Sequence, residues 1–201
     1  MTKLLVIDTE TTGTNPFLHS MLSFAAVVWT DGEIGETVEV LIADYGNTVL
    51  DPEAMAINGI DIGRHRQSGL TAEYAVATIN GFISRNFDLD NEQQVSVAGH
   101  NVGFDIAFVK QLYNAVGANY DSLYSHRVLD TASVVTFLSL AGKLPLRGAS
   151  SSSVFAYFGI GVPVGLRHTA RGDAIATAQL LTRLLSLETS ISANPAWGHF
   201  G

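Results

Sequence analysis

The chain has no cysteine, which excludes a disulfide framework and a thiolate zinc site. Cations are scarce: 11 Lys and Arg stand against 19 Asp and Glu, for a formal net charge of −8. A protein that grips a polyanion through broad phosphate contacts is normally basic, so a tight, processive, nonspecific hold on long duplex is not expected. No apolar run approaches the ~20 residues of a membrane span, and no membrane partner is expected. The LLVI stretch at 4–7 is too short for a secretory h-region and lacks a cleavage pattern. A cytoplasmic setting is the expectation.

Repeats, low-complexity runs and obvious linkers are also missing. GASSSS at 148–153 is small and polar, but VFAYFGI follows at once, so it reads as a helix start. The length of 201 residues suits one domain, and the 47% hydrophobic fraction is ample for its core. The expected division is a compact domain over 1–187 and a C-terminal tail over 188–201, with Trp197 and Phe200 in a Pro/Gly setting. The tail reads as a docking peptide or a strapped-down terminus.

What the chain does have is acids inside apolar segments, in three places. The first is LLVIDTETTG. LLVI is short and β-favouring, and alternate strand residues share a side. Asp8 and Glu10 therefore point together and Thr9 points away. Paired like charges raise each other's pKa, and a divalent cation between them removes that cost. Oxygen-only ligands suit Mg²⁺ or Mn²⁺. By itself the pair is more often two exposed turn acids.

The second segment is VSVAGHNVGFDIAFV. A strand ends near His100 and Asn101, and Phe104, Asp105, Phe108, Val109 and Leu112 follow a helical period. Asp105 falls in the first turn, where the helix dipole favours an acid; the other reading is a third metal ligand. Asn101 fixes the turn or reaches substrate. Phe104 packs in the core or lies under a base. In the third segment, RHTARGDAIATAQL, Asp173 opens a helical pattern and His168 stands five residues before it. Imidazole exchanges protons near neutral pH. Beside these acids, His168 reads as a general base, and the four carboxylates as the ligands of a two-metal phosphodiesterase.

These motifs resemble the DEDDh-type 3′-to-5′ exonucleases, the superfamily of the polymerase proofreading subunit, oligoribonuclease and ribonuclease T. The matching motifs are DTETTG at 8–13, HNVGFD at 100–105 and H-x4-D from His168 to Asp173. AMAINGID at 54–61 resembles a segment following the third strand in that superfamily, and VLDTASV at 128–134 its strand-to-helix joint. There Asp130 reads as structural, since a fifth metal ligand is not required.

The resemblance implies an α/β, ribonuclease-H-like mixed sheet flanked by helices. It implies that Asp8, Glu10, Asp105 and Asp173 hold two divalent ions, Mg²⁺ or Mn²⁺, and that His168 deprotonates the attacking water. Products would be nucleoside 5′-monophosphates from single-stranded 3′ ends or overhangs of DNA or RNA. Glu10 and the backbone near Thr11 and Thr12 would recognise the terminal 3′-hydroxyl. Many members place a bulky apolar residue after the DTETTG glycine; here Thr14 stands there, and Phe17 is the substitute or a loop aromatic. Arg171, between His168 and Asp173, is the best basic contact; Arg64 with Arg66, Lys143 with Arg147, and Arg167 are weaker. Phe155, Tyr157 and Phe158 are candidate base-stacking residues. The alternative function is a proofreading or interaction subunit, with a polymerase or a second copy of the chain as the protein partner.

The expected elements are strands at 3–9, 22–31 and 34–42, a turn at Asp31-Gly32, helices at 52–58 and 71–87, and a loop at 88–94. Next come strand 95–99, helix 103–116, strand 126–130, and helices at 131–141, 150–158 and 170–187.

Overall fold

The computed structural model describes residues 2–43, 49–89, 94–162, 166 and 168–192, with side chains to Leu187. The N-terminal meander comprises β1 (Lys3–Thr11), β2 (Met21–Thr30) and β3 (Glu33–Leu41). Asp31 and Gly32 join β2 to β3 with φ of 48° and 100°, the doubly positive pattern of a type I′ hairpin turn. Then follow α1 (Pro52–Asn58), α2 (Ile62–Ser68), α3 (Ala72–Asn86), β4 (Val95–Gly99) and α4 (Gly103–Ala115). After a 3-10 turn (Tyr120–Ser122) come β5 (Tyr124–Asp130), α5 (Thr131–Leu140), α6 (Ser151–Tyr157) and α7 (Ala170–Ser192).

The sheet runs β3-β2-β1-β4-β5. β1 is antiparallel to β2 and parallel to β4, giving the expected mixed sheet. As the central strand, β1 is buried on both faces, and its alternation divides two cores. Leu5 and Ile7 pack with Phe24, Ile79, Phe108 and Leu112 under α3 and α4. Leu4 and Val6 pack with Ala98, Ala174, Ala178 and Leu181 under α7. Ala170, Ala174 and Ala178 recur every four residues on α7 and are fully buried, so this helix lies close on the sheet. Its other buried side, Ala176, Leu180 and Leu184, meets Val135, Val154 and Phe155 of α5 and α6.

Several elements depart from the sequence expectation: β1 runs on to Thr11 and α7 to Ser192, and two more differ as follows. β5 begins at Tyr124, two residues early, and Tyr124 is buried there. α2 was not expected at all. It has no apolar face to announce it: its one buried side chain is His65, whose Nε2 donates to the Ile42 carbonyl at 2.9 Å. The Asp61 side chain starts the helix by accepting from the Gly63 and Arg64 N–H groups. Capping and one polar anchor, rather than periodicity, hold it. Part of the 88–94 loop and the tail beyond 192 lie outside the described residues.

Candidate active site at the end of the central strand

The alternation of β1 carries its acids to the α7 face. There Asp8 and Glu10 meet Asp173 from the first turn of α7, and ligand oxygens from the three carboxylates all lie within 4.8 Å of one another. All three are half-buried. A cation among them would offset the repulsion of like charges at this distance. The donor set is carboxylate oxygen throughout, which fits a hard divalent ion rather than zinc.

Asp105 is not in that trio. It sits in the first turn of α4 with 4% of its surface exposed. Oδ1 accepts the Thr9 hydroxyl at 2.8 Å, so the residue between Asp8 and Glu10 ties Asp105 to β1 from the opposite face of the strand. Burial pushes the Asp105 carboxyl up to about 7, against the lowering effect of the Thr9 hydroxyl and of backbone N–H groups. Gly99 permits this packing: a Cβ there would lie 2.6 Å from Val102 Cγ2 and 3.1 Å from the Ile7 carbonyl.

His168 is exposed and stands two residues before α7 with φ of 60°, an uncommon conformation for a residue with a Cβ. The chain around it is fastened. Thr169 Oγ1 donates to the Leu166 carbonyl at 2.8 Å and accepts the Gly172 N–H at 3.1 Å, which caps α7. A Cβ on Gly172 would fall 1.9 Å from the Leu166 carbonyl oxygen. Glycine is therefore required where the histidine-bearing approach crosses the first turn of α7, one residue before Asp173.

The residues expected to contact substrate separate into two groups. Thr11 and Thr12 are buried, and their hydroxyls turn inward: Thr11 Oγ1 donates to the Gly13 carbonyl and Thr12 Oγ1 to the Val49 carbonyl. The Thr11 carbonyl accepts the Asn58 side-chain amide at 3.0 Å, which is what the AMAINGID segment contributes. These hydroxyls build the strand end rather than reach into the site. Phe17, in contrast, is 81% exposed beside this turn, with Leu18 at 54% and Ile57 of α1 at 63%.

Asn101 is exposed with φ of 63°, and its backbone N–H donates to Asp130 Oδ1 at 2.7 Å. It fixes the turn. Phe104 packs on the core beside Phe108, ring centroids 5.0 Å apart. Arg171 is exposed, and its guanidinium donates to Thr37 Oγ1 on β3 at 3.4 Å, toward the outer part of the sheet that α7 covers. Phe155 is a core residue at 4% exposure and so no stacking platform; Tyr157 is 46% exposed, and Phe158 packs on the core below α6. Arg167 lies outside the described residues.

Sequence reasoning missed His100. Its Nε2 donates to the Ala149 carbonyl at 2.7 Å and its Nδ1 pairs with Thr131 Oγ1 at 2.9 Å, bracketing β4 to α5 and to the approach to α6. Asp130 is structural, as expected. It accepts from the Asn101 and Ala132 N–H groups and from the Ser133 hydroxyl.

A model of the Exonuclease family matches residues 5–181. The chain belongs to the exonuclease family. It is 32% identical over 184 residues to a "DNA polymerase III subunit epsilon-like protein" of Rhodobacter capsulatus, covering 90% of this chain but 23% of that protein. It is 25% identical over 187 residues to ribonuclease T of Baumannia cicadellinicola, covering 90% of this chain and 83% of the relative. Among solved structures, E. coli exonuclease I in complex with a dT13 oligonucleotide superposes with a TM-score of 0.79 at 18% identity, over 96% of this chain and 43% of that one. This exonuclease domain thus has the ribonuclease-H-like fold of exonuclease I, and it spans less than half of that protein.

Proposed function

We propose that this exonuclease domain removes nucleoside 5′-monophosphates one at a time from the 3′ ends of single-stranded nucleic acid. The observation that carries the reading is the convergence of Asp8, Glu10 and Asp173 within 4.8 Å, with Asp105 fastened behind them. These four acids would hold two divalent cations, Mg²⁺ or Mn²⁺. Cations held by these acids would supply Lewis-acid activation of the scissile phosphate and the attacking water and charge stabilisation at the leaving oxygen. His168 takes the proton from that water at an imidazole nitrogen. It reaches it from an exposed approach that Gly172 and Thr169 hold against α7. Phe17 offers an exposed ring for the terminal base, and stacking on a ring tolerates any base. A net charge of −8 fits a site that holds a few terminal nucleotides. It does not fit a long electrostatic track. Both DNA and RNA belong to the proposed substrate range: exonuclease I, whose fold this chain shares, was solved with an oligo-dT, and relatives are named ribonuclease T.

The test is digestion of 3′-labelled and 5′-labelled single-stranded DNA and RNA with Mg²⁺ or Mn²⁺, beside Asp8→Ala. Stepwise shortening from the 3′ end, absent in the variant and with EDTA, is expected. Shortening from the 5′ end, internal cleavage, or no metal-dependent shortening of either polymer would overturn the proposal.

A further inference from the structure

Thr9 occupies a place that needs explaining. On its face of β1 the preceding positions are Leu5 and Ile7, both core residues. A hydroxyl at 7% exposure stands next in that apolar row. A buried hydroxyl costs stability unless it is paired, and valine would fill the same volume on a strand without that cost. The hydroxyl's partner is Asp105 Oδ1, 2.8 Å away and buried. Thr9 itself cannot drift. Its backbone lies in register with Phe24 in the β1–β2 ladder, between the two residues that present Asp8 and Glu10.

We infer that Thr9 is a positioning residue for the metal site: its hydroxyl fixes the rotamer of Asp105 behind the strand end that carries Asp8 and Glu10, where Asp105 would help to hold the cations. The inference rests on the reading of Asp105 as a metal ligand. α4 has no side-chain cap at Val102, so the Asp105 turn is not held by an N-cap side chain. The Thr9 contact links it to the strand that carries the other acids. One strand residue thereby sets the relation of the two ligand groups across the sheet. Partners that orient metal ligands typically cost ~10–100-fold in metal affinity or activity when removed.

The experiment is Mn²⁺ titration of the full chain by calorimetry and by the spin-resonance signal of free Mn²⁺, without nucleic acid, for wild type, Thr9→Val, Thr9→Ser and Asp105→Asn. Thr9→Val keeps the shape and removes the donor; circular dichroism establishes that it folds. The expected result is a ~10–100-fold weaker Mn²⁺ site in Thr9→Val, with Thr9→Ser restored to near the wild-type value. The kcat on an oligonucleotide should fall in Thr9→Val with KM little changed. Folded Thr9→Val that binds Mn²⁺ like wild type overturns the inference, and so does Thr9→Ser as weak as Thr9→Val. If Asp105→Asn leaves Mn²⁺ binding unchanged, Asp105 is not a ligand and the reading beneath the inference fails. If Asp105→Asn weakens binding and Thr9→Val does not, the positioning role alone fails. Should Thr9→Val not fold, the loss of Mn²⁺ affinity is read from Thr9→Ala, and its recovery in Thr9→Ser decides the same question.

Discussion

Asp130 Oδ1 accepts the backbone N–H of Asn101 at 2.7 Å and also caps the first turn of α5 through Ala132. One carboxylate thus joins the turn that leads into α4 to the start of the helix after β5. Burial by itself would raise Asp130. The Ser133 hydroxyl and the N–H groups of Asn101, Ala132 and Ser133 outweigh it and hold the group below its ordinary value of 3.8.

Asp130→Ala is therefore expected to destabilise the protein by about 1–3 kcal/mol at neutral pH while leaving Asp8, Glu10 and Asp173 in place. A group with a depressed folded pKa contributes stability above its unfolded value and loses it as pH falls through the folded one. The difference in Tm between wild type and variant should hold steady from pH 7 to about 5 and shrink as pH falls below 3.8. Thermal unfolding followed by circular dichroism across that range is the check.

Asp105 should behave in the opposite sense. Its carboxyl is raised by burial from 3.8 to about 7, so the folded chain keeps a proton that the unfolded chain releases. That contribution is full below pH 3.8 and lost as pH rises toward 7. With EDTA present, wild-type Tm should decline over this window relative to Asp105→Asn. On the proposed reading of Asp105 as a ligand, divalent cations would displace the same proton, so their affinity should rise with pH and level off above about 7. Tm–pH profiles and metal titrations of both proteins measure it.

The clustered acids give a prediction that needs no substrate. A ligand that binds only the folded state at 100 times its Kd adds about 2.7 kcal/mol, or roughly 5–10 °C in a domain of this size. Mn²⁺ should raise the Tm of wild type by that order and leave Asp8→Asn and Asp173→Asn almost unmoved. Differential scanning fluorimetry with and without Mn²⁺ distinguishes the cases. An equal rise in all three proteins would count against the trio as a metal site.

Gly172→Ala tests the approach that carries His168, the proposed general base. Its Cβ would lie 1.9 Å from the Leu166 carbonyl oxygen, so Leu166 must move off α7 and His168 with it. Stability should drop by about 1–3 kcal/mol. The kcat is expected to fall at least tenfold, about what a misplaced general base costs, while Mn²⁺ affinity changes little. Single-turnover cleavage of a labelled oligonucleotide, paired with Mn²⁺ titration, separates the two effects.

Phe17→Ala addresses recognition of the strand end. The ring is 81% exposed, so its loss should not alter Tm. Stacking of a base on an aromatic is worth about 1–3 kcal/mol, and the expected result is a roughly 5–100-fold higher KM for single strands. Unchanged KM would remove Phe17 from the site.

The sheet, and the face that each acid of the trio takes on its own element, were legible because both rest on short-range rules. Period-2 alternation puts Asp8 and Glu10 on one face, and the 3.6-residue period places Asp173 on the buried side of α7. What escaped depended on contacts distant in sequence. His100 gave no local sign of its partners, Thr131 and Ala149. Thr9 pointed away from the acids, as its strand position demands, and only the fold brings Asp105 to meet it. Arg171 sits near Asp173 in sequence, yet a helix turns about 100° per residue, and two residues are enough to send its guanidinium to Thr37. For Thr11 and Thr12 the expected contact with a 3′-hydroxyl was through the backbone. Their hydroxyls are spent on the carbonyls of Gly13 and Val49.

The two faces of β1 belong to different hydrophobic clusters, one under α3 and α4 and the other under α7. Acids reach the end of that strand from both. On the proposed reading of Asp105 as a fourth ligand, an ion bound there would act as a rivet through the sheet, held only while both layers stand. Local opening of either layer releases it, and its binding energy is shared by both. Amides in α4 and in the first turns of α7, which have no direct contact with the ion's other layer, would gain protection from exchange together.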